Sequence, residues 1–144
     1  MEAKLTFSVV QESHEGPIGD TWKYWVEAKV FNQGLQGQGK ISIAKHALPS
    51  GVTQVPPGSP AAVEIPAGLC GLPVKIKLTL EATEMDMFRS DVGMTSIDVH
   101  LDLPAPGEGP LLHEREISVG VVESPGITGD TSIITVTVRL ELSI

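Results

Sequence analysis

An all-β sandwich is the fold class this sequence predicts, and three observations carry that expectation. Apolar and polar side chains alternate with a period of two along most of the chain, as they do on a strand with one buried face. Glycine- and proline-rich turn signals recur between the alternating runs. No stretch keeps helical periodicity over as many as about ten residues. The cleanest run is the last one, where Ile134, Val136, Val138, Leu140 and Leu142 face one way and Thr135, Thr137, Arg139, Glu141 and Ser143 the other. A helix would scatter those five apolar residues around its circumference. One wet face per strand implies antiparallel sheets stacked through their apolar sides.

The remaining elements follow in order. Residues 4–11 hold Leu5, Phe7 and Val9 in phase. Residues 22–31 place Trp22, Tyr24, Val26, Ala28 and Val30 on one face, in a segment rich in aromatic and β-branched residues. Residues 40–45 carry Ile41 and Ile43. Residues 61–65 form a short edge strand bracketed by Pro60 and Pro66, since proline donates nothing to a ladder. Val74, Ile76, Leu78 and Leu80 define a strand over 74–81, and Ile97, Val99, Leu101 and Leu103 another over 97–103. Ile117, Val119 and Val121 mark a strand over 116–122. Turns are expected at 34–39, 49–51, 56–58, 68–73, 104–110 and 124–130, where glycine supplies positive φ and proline presets a bend. The count of seven to eight strands fits a single antiparallel β-sandwich spanning 1–144, with 47–73 as a long connection holding one short strand.

Composition excludes several classes. With 144 residues the chain suits one domain of ordinary size. Hydrophobic residues make up 41% and charged residues 19%, too apolar a balance for an acidic disordered chain. No apolar run reaches the ~18–20 residues of a membrane-spanning helix. Met1-Glu2-Ala3-Lys4 leads straight into strand-like sequence, so no signal peptide and a cytoplasmic location are expected. The net charge of −8 argues against nucleic acid, whose phosphates require clustered Lys and Arg. The lone Cys70 excludes an internal disulfide and a cysteine-built metal site, and suits a reducing compartment.

Chemistry-bearing residues concentrate in 81–93, expected as a loop at one end of the sandwich. Glu84, Asp86 and Asp91 place three carboxylates there, and calcium takes about six to eight hard oxygen ligands. Three acids under-fill that sphere, and exposed loops carry acids simply because they are wet. Both readings stay open.

The strand over 72–80, Glu84-Met85-Asp86 and the closing Ser90-Asp91-Val92-Gly93 resemble the late calcium loop of C2 domains. Glu15-Gly16-Pro17-Ile18-Gly19-Asp20 ahead of Trp22-Lys23-Tyr24-Trp25-Val26 is similar to that family's early loop, with Glu at positions 15 and 84 where Asp is usual. The resemblance implies a C2-like sandwich, with an immunoglobulin-like one the alternative. It also implies a calcium set of Glu15, Asp20, Glu84, Asp86 and Asp91, and docking to membrane or protein.

Membrane docking would call for a basic patch worth about 1 kcal/mol per Lys or Arg. Lys40 and Lys45 lie on one expected strand and Lys75 and Lys77 on another, a small basic strip on a sheet face. The same residues serve equally as solvated-face lysines that keep a strand from pairing with strangers. Trp22 and Trp25 fall on opposite faces of their strand, so Trp25 is a candidate binding anchor. His14, His46, His100 and His113 show no metal-binding spacing, although His100 shares a polar row with Asp98 and Asp102. Enzyme motifs are absent. There is no nucleophile elbow and no phosphate-cradling glycine loop, and Gly34-Leu35-Gln36-Gly37-Gln38-Gly39 opens no helix. The sequence thus points to a non-catalytic interaction or structural module with a protein partner and no cofactor. The alternative is a calcium-responsive module acting through its acidic loops.

Overall fold

A computed structural model describes residues 2–57, 62–68, 73–85, 90–105, 107–123 and 130–144. Nine strands run through them: β1 (Glu2–Glu15), β2 (Thr21–Phe31), β3 (Leu35–Ala47), β4 (Thr53–Gln54), β5 (Val63–Gly68), β6 (Val74–Met85), β7 (Ser90–Leu101), β8 (Leu111–Val122) and β9 (Thr131–Ser143). All pairings are antiparallel. One sheet has the order β4-β1-β9-β8, with β5 sharing the β1 edge with β4, and the other has the order β3-β2-β6-β7. The two stack as a β-sandwich, and among the described residues no helix is long and apolar enough to cross a membrane.

The core is what period-two alternation demands. From one sheet come Leu5, Phe7, Ile134, Val136, Val138, Leu140 and Leu142, and from the other Val26, Val30, Ile76, Leu78 and Leu80, all fully buried. Each such side chain contributes about 1.5–3 kcal/mol when fully removed from water.

Several strands run longer than the sequence predicts. The expected loop over 81–93 is largely strand: β6 continues to Met85, β7 starts at Ser90, and Glu84 lies opposite Asp91 in the ladder. The expected turn over 34–39 is the start of β3. Its glycines are used for packing: a Cβ on Gly39 would lie 2.6 Å from Val63 Cγ1 of β5. Pro66 lies inside β5, which among the described residues pairs with β1 alone, an edge position of the kind that tolerates proline. The opposite corner is also glycine-closed. A Cβ on Gly93 of β7 would strike the Gly120 carbonyl oxygen of β8.

Two β-bulges reverse the alternation where it matters. In β1 the register slips between Val9 and Gln11, so the inward set changes from Leu5, Phe7 and Val9 to Glu12 and His14. In β3, Ala44 and Lys45 together oppose the single Lys23, because Trp22 pairs with His46 and Tyr24 with Ile43. An extra residue of this kind re-aims every side chain after it. Here it turns His46 toward the interior and leaves Lys45 outside.

Candidate functional site

The re-aimed residues form a polar layer at one end of the sandwich. Glu12, 1% exposed, accepts hydrogen bonds from Tyr24 Oη (2.7 Å), Gln54 Nε2 (2.7 Å) and His46 Nε2 (2.7 and 2.8 Å to its two oxygens). His46 Nδ1 lies 2.8 Å from the Ala44 carbonyl oxygen. Both ring nitrogens thus face oxygen atoms, and Nε2 makes a close, largely buried contact with the Glu12 carboxylate. Burial, with the hydrogen bond and the negative charge of Glu12 adding to it, pushes the Tyr24 phenol far above the ordinary tyrosine range.

Beside this cluster, fully buried His14 donates from Nδ1 to the Leu48 carbonyl (2.9 Å) and pairs through Nε2 with Ser132 Oγ (2.9 Å). The Ile18 N–H also donates to Ser132 Oγ at 2.9 Å. A serine–histidine pair invites comparison with a nucleophile and its base, but neither side chain has any exposed surface. A reacting substrate cannot reach it. The pair acts as a structural joint instead. It ties β1 and β9 to the 16–20 and 48–54 segments, where Leu48 N–H donates to the Asp20 carbonyl (2.6 Å) and Gly51 N–H to that of His14 (2.7 Å).

The acidic set is split. Glu84 and Asp91 are cross-strand neighbours, 5% and 7% exposed, and the Glu84 carboxylate packs against the backbone of Gly19. Gly19 and Glu84 of β6 therefore lie together at one end of the sandwich. Glu15 and Asp20 are exposed, and Asp86, like Cys70, lies outside the described residues. Among the described residues no three His, Cys, Asp or Glu side chains are grouped to hold a metal ion.

The basic strip is different, because the structure brings most of it together. Trp25, Lys40, Lys75 and Lys77 all lie on the outer face of the β3-β2-β6-β7 sheet, joined there by Lys23 and Lys29, with Lys45 on the bulge at its margin. Trp25 sits between Ser42 and Glu81, and the Lys40 ammonium lies 4.4 Å from its ring centroid. Such a cation–π contact is worth about 0.5–1 kcal/mol when exposed. The Lys75 ammonium lies 4.8 Å from the Phe31 ring centroid, and Lys29 is directly opposite Lys77. Acids on the same face are Glu27, Glu81 and Asp98.

A shallow groove of about 580 Å³ crosses this face at the polar-layer end, its walls including Lys23, Trp25, Ala44, Thr83 and Val92. Val92 and Met94 are exposed apolar residues beside it, at 55% and 64%. The outer face of the other sheet has the opposite sign. It carries Glu64, Glu114, Glu116 and Glu141 against Lys4 and Arg139, with Arg139 held 2.8 Å from Glu114 and Lys4 3.8 Å from Glu64.

Sequence reasoning missed Lys23 and Lys29, although β2 parity alone aligns them with Trp25. It missed the Glu12–His46–Tyr24 cluster for a deeper reason, since two bulges invert the parity on which the reading depends. No family model matches the chain, and comparison with curated proteins finds none that matches it.

Proposed function

We propose that this domain is a non-catalytic binding module that docks a protein partner on the outer face of the β3-β2-β6-β7 sheet. The observation that carries the reading is the gathering of five lysines on one sheet face, at one end of which lies a groove lined by Trp25, Ala44 and Val92 together with Lys23 and Glu81, in a chain whose net charge is −8. An apolar anchor point beside a patch of net positive charge is how binding surfaces combine affinity with partner choice. The His14–Ser132 pair, a base and a hydroxyl by residue type, is closed to solvent, which supports a structural role for it.

The experiment is site-directed photo-crosslinking in cells of the source organism, with a benzophenone amino acid at Ser42 on this face and, separately, at Ser118 on the other. The reading expects one identified protein crosslinked from position 42, absent from position 118, and lost with Lys29→Glu plus Lys77→Glu. The same background of products from both positions overturns it.

A further inference from the structure

We infer that the docked segment is an extended acidic peptide carrying one bulky apolar residue, with carboxylates four and six residues further along. This rests on the reading of the face as a protein-binding surface and specifies what that surface recognises. The groove wall at Trp25 receives the apolar side chain, flanked by Ala44 and Val92. Along β2, Lys29 lies four residues beyond Trp25, or about 13 Å at ~3.3 Å per residue. Along β6, counted from Glu81 opposite Trp25, Lys77 and Lys75 lie four and six residues away. A peptide extended parallel to these strands has the same rise, and its residues at even spacings share one face. An apolar residue and acids four and six positions on therefore arrive together over the groove and over Lys29, Lys77 and Lys75.

Charge complementarity names the occupant. Lys29 and Lys77 are directly opposed across β2 and β6, a like-charge arrangement that destabilises a sheet. Glu27 lies 3.7 Å from Lys29, and Asp98 is the register partner of Lys77. With Lys75 one step along, three cations still face two acids. A carboxylate set between the opposed lysines relieves their repulsion, which a neutral or basic segment does not.

The test titrates the whole protein, following Trp fluorescence, with the capped peptide Leu-Thr-Ser-Thr-Glu-Thr-Glu-Ser. Its control, Leu-Thr-Ser-Glu-Thr-Glu-Thr-Ser, has the same composition and charge with the acids moved by one position. The patterned peptide should bind, and the shifted one should bind about tenfold more weakly or worse, because its carboxylates point away from the lysines. Lys77→Glu should cost the patterned peptide at least about tenfold and erase the difference between the two, with an unchanged melting temperature showing that the variant is folded.

Equal binding of the two peptides overturns the inference, since the face would then read net charge alone. Absence of peptide binding, with the position-42 crosslink intact, overturns it while leaving the protein-binding reading standing. Loss of both removes the two together. Binding to phosphatidylserine vesicles that the patterned peptide fails to displace also overturns it, in favour of a lipid surface.

Discussion

At the scale of single residues, the most consequential side chain is Glu12, because its four hydrogen bonds join β1, β2, β3 and β4 at once. Removing one member of a buried charged contact strands the other, a loss of about 3–5 kcal/mol, whereas replacing both by apolar groups of similar volume is often neutral. Glu12→Ala should therefore destabilise the fold by about 3–5 kcal/mol. Glu12→Leu combined with His46→Leu and Tyr24→Phe, which removes those donors along with their acceptor, should recover much of that in urea denaturation, and equal losses for the single and triple variants would show that the group is not coupled. Tyr24 extends the same logic to pH. Its phenol is held protonated by burial and by Glu12, so its ionisation in the folded state lies above the ordinary value of about 10. Below that value both folded and unfolded chains keep the proton, and the stabilising contribution is complete. Above it the unfolded chain releases the proton and the folded chain does not, so stability falls as pH rises. Tyr24 is the only tyrosine, so phenolate absorbance reports on it alone. The absorbance should appear together with unfolding rather than before it, and Tyr24→Phe should flatten the alkaline loss of stability.

At the scale of elements, glycines decide how closely the two sheets meet at their corners. A methyl group on Gly93 would collide with the Gly120 carbonyl and lie 2.9 Å from a Val121 methyl. Gly93→Ala should cost about 1–3 kcal/mol through forced backbone movement, with faster amide exchange in β7 and β8 than in β2. Uniform exchange across all four strands would argue against a local corner. The same glycines mark the limits of what alternation reveals. Val74–Leu80 and Ile134–Leu142 are legible because every second residue is apolar and every intervening one polar, and the structure buries those sets. The 34–39 segment reads as a turn because glycine is a turn residue. Nothing local signals that Val63 and Ile65, some 25 positions away, require bare backbone there. The 81–93 segment reads as a loop because acids are ordinarily wet, yet Glu84 and Asp91 face inward as ladder partners at a sheet end. Bulges hide most, since a single extra residue at Val10 or in the Ala44–Lys45 pair inverts the parity of everything beyond it. The strip of Trp25, Lys40, Lys75 and Lys77 was legible because it lies on regular stretches between those faults.

At the scale of the whole molecule, one sheet face is basic while the rest of the chain is acidic. Five lysines and three acids leave the outer face of the β3-β2-β6-β7 sheet at +2, so the rest of a chain of net −8 carries −10. An acidic partner thus feels attraction nearby and repulsion from farther away, and the two are screened at different salt concentrations. The sheets of a sandwich lie about 10 Å apart, and the far face with its side chains lies roughly twice that from a ligand on the near one. At ~0.01 M salt the Debye length is about 30 Å and the ligand feels the whole negative molecule. At ~0.1 M it is about 10 Å, which silences the far face and leaves the lysines effective, and at ~1 M it is about 3 Å, which weakens the lysines too. Affinity for an acidic peptide should therefore pass through a maximum near physiological ionic strength, where a uniformly basic surface would give a steady decline. Titrations across that range check it. Glu114→Gln plus Glu116→Gln on the opposite face should move the maximum to lower salt without changing the affinity at high salt. A monotonic fall in both proteins would mean that the far face is never felt and that the local lysine cluster alone sets the affinity.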